Sequence, residues 1–393
     1  NYNVALGYDS LANNTTASNN TAVGYQAGYS KTTGDPITAI GHQALTSVTT
    51  GAYSTAVGRN AGDSVTTGNH NTLMGNFTGA DITTGANNTA LGSESLRSNI
   101  TASNNTAVGY QAGYSNTTGT GMVAVGRLSG YSNSTASYNT FVGEAAGYTN
   151  STGASNTALG NSSLYDNTTG ANNVAVGASA LANNTTASEN TAIGSLAAFS
   201  NTTGTRNTAL GRASLYDNTT GNYNVALGYD SLANNTTASS NTAVGYAAGY
   251  SNTTGAENTA LGNRALYTNT IGTGNVAVGH YALNENSSAA YNTGVGYLAL
   301  RRNTTGASNV SLGYAALTSN TTSSYNTAVG YRAAYTNTTG QLNTAMGNDA
   351  MFYTTTGSHN AVFGANAFTA NTTGSYNTAI GRQALGSNTT ASN

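Results

Sequence analysis

The residues best suited to hold a metal ion or to move a proton near neutral pH are four histidines, His42, His70, His280 and His359. A metal site needs three or four such groups to converge. His42 and His280 share one position of a 17-residue repeat but stand 14 repeats apart, and His70 and His359 share another but stand 17 repeats apart, so no pair can chelate. The carboxylates Asp9, Glu94, Asp230 and Asp349 also share a repeat position, but never in adjacent repeats, so no acid pair at catalytic separation arises. Gly119-Thr120-Gly121 lacks the remainder of a dinucleotide fingerprint, and the glycine-aspartate pattern of calcium-binding solenoids is absent. Serines are plentiful, but the sequence places no base beside one. The sequence therefore assigns no catalytic, cofactor-binding or metal-ligating residue and points away from an enzyme.

Two other residue types could carry recognition. Asn-Thr-Thr corners form N-glycosylation sequons in most repeats, for example at Asn14, Asn116, Asn201, Asn252 and Asn371. Asn, Thr and Gly are also plain turn formers, which is the simpler reading. Tyrosines recur at three repeat positions, represented by Tyr8 and Tyr25, by Tyr114 and Tyr131, and by Tyr53 and Tyr138. Such rings either cover the coil corners by stacking on one another or meet sugars and partner surfaces.

Composition narrows the classes further. Charged residues make up 6% of the 393, against roughly 25% in a typical globular chain. Eleven basic and thirteen acidic residues give a net charge of −2, which leaves no basic patch for nucleic acid. There is no cysteine, so disulfides and thiolate metal sites are excluded. No apolar run approaches the ~18 residues of a membrane span, so membrane insertion is not expected. The chain begins at Asn1, as a processed chain or a piece of a longer fibre would.

The element that must position all these residues is the repeat itself. A glycine preceded by an apolar residue recurs every 17 positions from Gly7, Gly24 and Gly41 to Gly381 without insertion or deletion. The apolar residue before it never fails: Leu6, Val23, Ile40, and later Val108, Val125 and Val142. The residue before that is usually Ala, with Leu73, Phe141, Gly294, Ser311 and Val362 as exceptions. Thr or Val precedes the Ala, and Asn precedes the Thr, as at Asn88, Asn105, Asn139 and Asn156. Short β-branched segments alternating with Gly- and Asn-rich corners predict an all-β fold, a parallel β-solenoid of 23 coils running as one domain over residues 1–393. The apolar column of Leu6, Val23, Ile40, Val108, Val125 and Val142 is the expected core, and the Asn column the expected amide ladder. Gly7, Gly24 and Gly41 are expected turn glycines, set by backbone conformation or close approach. At about 4.8 Å per coil, the rod would be roughly 110 Å long. Alternation then puts Ala22, Ala107 and their equivalents on the opposite face, where a second copy of the chain would cover them. The bland alternative is that Ala lines the inside of a thin coil.

The segment Asn-Thr-Ala-Val-Gly-Tyr-Gln-Ala-Gly (20–28, again at 105–113) resembles the head repeats of trimeric autotransporter adhesins. Asn-Thr-Ala-Leu-Gly-x-x-Ser-Leu-Tyr-x-Asn-Thr-Thr-Gly (207–221) is still more similar to repeats of phage tail-fibre and bacterial surface-fibre proteins. The resemblance implies a left-handed parallel β-roll, homotrimeric or laterally assembled into filaments. It also implies an extracellular place on a cell surface or virion, with surface glycans among the partners. The adhesin-head unit is shorter than 17 residues, and no coiled-coil stalk, membrane anchor or chaperone segment occurs in the 393 residues. The leading expectation is a structural or adhesive extracellular fibre without catalysis or cofactor, either a stiff shaft or a surface adhesin. The alternatives are a phage tail-fibre shaft with a receptor-binding role and an ice-binding solenoid presenting Thr columns.

Overall fold

A computed structural model describes residues 2–392. The chain divides into two units, one formed by residues up to 196 together with 201–203, the other by 197–200 together with residues from 204 onward. The first carries strands β1 (Val4–Leu6) to β12 (Thr191–Ile193), the second β13 (Thr208–Leu210) to β23 (Thr378–Ile380). Within each unit the strands pair in parallel with a constant shift of 17 residues, as in Thr106↔Val123, Ala107↔Ala124 and Val108↔Val125. Each unit is thus a β-solenoid, and the described residues contain no α-helix.

Most strands last only three residues because the glycine that follows ends them. Gly109 has φ +136°, and a Cβ there would lie 2.5 Å from the carbonyl oxygen of Gly126 in the next coil. Position and conformation both demand glycine. Beyond it the coil bends through left-handed residues that are mostly not glycine, such as Gln111 (φ 53°), Leu96 (φ 47°) and Asn104 (φ 62°). Such conformations are unfavourable for L-residues. They are held by bonds between coils, including Gln111 N–H to Ser93 O at 3.0 Å and Leu96 N–H to Ala112 O at 3.0 Å.

The structure corrects the expected core. Leu6 is 67% exposed and Leu159 46%, Ile40 is exposed, and Val23, Val108, Val125 and Val142 are half-buried on the outer surface. The Ala column is the buried one: Ala22, Ala39, Ala107, Ala124 and Ala158 are wholly enclosed in their own coil. Alternation along the strand is as expected, but the inside and the outside are exchanged. The reason is the thinness of the coil. Its interior also receives Leu45, Leu96 and Leu164 from the second corner, and opposite a leucine only Ala fits. At some corners that have glycine, the Ala column enlarges: Phe141 packs against Gly130, and Leu73 against Gly62 and Gly79, whereas Ile37 reaches Gly28 and Met122 reaches Gly113.

Candidate functional site

The Asn columns form the most extensive polar network. Asn105 Oδ1 accepts from Met122 N–H at 2.8 Å, and its Nδ2 donates to Gly119 O at 3.0 Å. Asn88 Oδ1 accepts from the N–H of Asn105 at 3.0 Å, and Asn139 Oδ1 from that of Asn156 at 2.8 Å. A second column, the sequon asparagines, runs beside it. Asn150 donates to Asn133 Oδ1 at 2.9 Å and Asn167 to Asn150 Oδ1 at 2.6 Å, while each also donates to a carbonyl of its own coil. The two columns touch, as in Asn139 Nδ2 to Asn133 Oδ1 at 3.0 Å. The sequence signal for this second column was the sequon itself, read as a surface mark rather than an interior rung.

That placement favours the simpler reading of the sequons, as turn formers, over glycosylation. Asn116, Asn201, Asn252 and Asn371 are buried, and Asn14 is half-buried. The amide of Asn252 donates to Asn235 Oδ1 and to Gly255 O, both at 2.8 Å, so no hydrogen is left for a glycan and no space surrounds it. A sugar at the buried positions is incompatible with the folded coil.

The histidines are rungs of aromatic ladders. His42 stacks on Tyr25 at 5.0 Å, His70 on Tyr53 at 5.0 Å, His280 on Tyr297 at 5.4 Å and His359 on Tyr376 at 4.7 Å. Tyr114, Tyr131, Tyr148 and Tyr165 continue the pattern with separations of 5.1, 5.2 and 5.0 Å. Stacking turns the ring faces toward one another, so rings inside a ladder present only edges and hydroxyls outward. Glu94 and Asp349, from the shared carboxylate position, are held by Arg97 at 3.1 Å and Arg332 at 2.8 Å. Among the described residues no three His, Cys, Asp or Glu side chains converge on a common point. No described helix is long and apolar enough to cross a membrane.

One cation is buried. Lys31 replaces asparagine in the sequon column and donates from Nζ to Gly51 O at 2.5 Å. Desolvation lowers its pKa from the ordinary lysine value, and Asp35 opposes that shift. The columns beyond it turn apolar, with Val48, Val65 and Ile82 enclosed where asparagines stand elsewhere. The chain matches no protein-family model and no curated protein.

The surface with the largest repetitive character is the strand face. Its two outward columns hold Thr, Val or Ala at one position and Val, Leu, Ile, Met or Phe at the other. Neither column contains a charged residue. The array can bury apolar area or order water, and its only polar side chains are threonine hydroxyls.

Proposed function

We propose that the chain is a structural segment of an extracellular fibre, on a cell surface or a virion, whose identical chains associate through the strand face. The observation that supports this most directly is the charge-free, apolar outer column, exposed at Leu159, Leu210 and Leu312 and half-buried at valines such as Val125, which recurs in both units. Contiguous exposed apolar surface of this kind marks an association site. The expected interface moves accordingly, from the Ala column to its neighbour. Three chains meeting through this face is the assembly that the resemblance to adhesin heads implies. Between-coil bonds from backbone and asparagine alike give each unit the continuous cross-linking that a load-bearing shaft needs. Adhesion and absence of catalysis belong to the same reading.

Sedimentation velocity of the purified chain at micromolar concentration tests it. A multimer that Leu159→Glu dissociates, with circular dichroism unchanged, is the expected result. A stable monomer would overturn the reading. A monomer showing thermal hysteresis would transfer the face to ice binding, although residues such as Val123 and Val174 interrupt its Thr column.

A further inference from the structure

The position just before each ladder asparagine forms one of the three aromatic columns. In the second unit it reads Tyr291, Ser308, Tyr325 in three successive coils. All three have the same left-handed backbone, φ 59°, 56° and 60°, and the same inter-coil bond, Tyr291 N–H to Thr273 O at 2.9 Å, Ser308 N–H to Ala290 O at 3.1 Å and Tyr325 N–H to Ala307 O at 3.1 Å. Their Cα–Cβ bonds therefore leave the coil in parallel, and rings in equivalent rotamers at Tyr291 and Tyr325 stand two coil rises apart, about 9.6 Å. Tyr291 rests on Gly274, where a Cβ would meet the ring at 2.8 Å, so one face is backed and the other looks across Ser308 toward Tyr325.

This gap has the size of one ring. In the filled ladder Tyr131 sits 5.1 Å from Tyr114 and 5.2 Å from Tyr148. A ring placed midway between Tyr291 and Tyr325 would lie about 4.8 Å from each, within the separations at which ring faces pack. In the column of Tyr114 the gaps are closed: Ala182, between Tyr165 and Phe199, and Ala233, between Tyr216 and Tyr250, are each only 6% exposed. Here Tyr291 and Tyr325 remain 67% and 62% exposed.

We propose that Tyr291 and Tyr325 clamp a single neutral pyranose ring over Ser308. The floor is a hydroxyl rather than an apolar side chain, and it makes no hydrogen bond to the described protein, which suits a hydroxyl-bearing ring better than an aromatic one. The exposed hydroxyls of Thr305 and Thr322 stand on the nearby corners, and the column carries no charge between Gly274 and Leu342, so an anionic sugar gains nothing. The clamp lies outside the strand face, so it stands or falls separately from the association proposed above.

Saturation-transfer NMR of the full chain with methyl glucoside, galactoside, mannoside and N-acetylglucosaminide tests it, with phenol and indole as aromatic probes. The expected result is transfer to the ring C–H protons of at least one pyranoside, lost in Ser308→Tyr. That variant places a third ring in a conformation its Tyr neighbours already adopt. Tyr325→Ala should weaken binding about three- to tenfold, the worth of one ring contact. Tyr110→Ala, in a different column, should leave it unchanged. No transfer to any pyranoside, or transfer that survives Ser308→Tyr, overturns the proposal. So does Ser308-dependent binding of phenol or indole alone, which would make the gap a socket for an aromatic side chain.

Discussion

Replacing Asn105 by Leu isolates the contribution of one ladder rung. The two side chains share the same branched skeleton of four heavy atoms, so the main loss is polar. Asn105 Oδ1 is the acceptor for the buried amide of Met122, and Nδ2 donates to Gly119 O. Gly119 O keeps a partner in Asn116 Nδ2 at 2.9 Å, whereas the Met122 amide keeps none. An orphaned buried donor costs about 1–3 kcal/mol and the lost second bond about 0.5–1.5 kcal/mol, so the site should weaken by about 2–4 kcal/mol. Repeat arrays need not unfold in one step, so a global melting temperature would dilute the effect. Native-state hydrogen exchange reads it locally. Protection of the Met122 amide should fall roughly 30- to 700-fold, at about 1.4 kcal/mol per tenfold. The amide of Asn105 itself, bonded to Asn88 Oδ1, should be far less affected. Met122 protection within threefold of wild type would refute the claim that the side-chain ladder, rather than the backbone alone, ties the coils together.

Gly109→Ala should cost about 2–4 kcal/mol and fray the adjoining coils in hydrogen exchange, because the new methyl meets Gly126 O and the backbone is left-handed. Ala124→Asp should cost about 3–5 kcal/mol by enclosing an unpaired charge, whereas Val125→Asp next to it should cost about 1 kcal/mol or less; urea titrations giving the reverse order would restore the original core assignment. Phe141→Ala should cost about 3–5 kcal/mol, and adding Gly147→Leu, at a position where Leu164 already adopts φ 51°, should recover much of that loss; additive effects in a double-mutant cycle would refute the packing. Lys31 has a lowered folded-state pKa, so the unfolded chain binds the extra proton and stability should rise with pH up to the ordinary value of 10.5, a rise that thermal melts should no longer show in Lys31→Asn.

The repeat, the parallel solenoid and the Asn ladder were legible because each depends on periodicity, which survives in a single sequence. The direction in which the strand faces was not, because the usual rule assigns larger aliphatic residues to the interior. Here the rule fails on volume. A 17-residue coil encloses little space, and Leu96 or Leu164 already occupies much of it. The deciding signal was present in the exceptions. Leu73 and Phe141, the large members of the Ala column, occur where Gly62, Gly79, Gly130 and Gly147 replace leucine at the other corner. The column of Val125 and Leu159 varies in size without any such compensation, as a surface column does.

The same logic separates the surface features that chemistry suggested from those that geometry supports. Sequons looked like surface marks because their Asn and Thr are polar, yet in most coils the asparagine is the interior rung and the second threonine of the corner, such as Thr118 or Thr305, is the exposed one. Tyrosines looked like sugar platforms, yet a ring inside a ladder has its faces covered by its neighbours. In a stacked array, what a side chain can bind is decided by the residue 17 positions on either side of it. A tyrosine followed by another aromatic is closed, and one followed by a small residue that itself stays exposed has an open face. Tyr138 and Tyr223 meet that condition, being followed by Ser155 and Ser240. Only in the Tyr291–Ser308–Tyr325 succession does a second tyrosine return after a single small residue in that column. An open face becomes a two-sided clamp there, and a point substitution at Ser308 closes it.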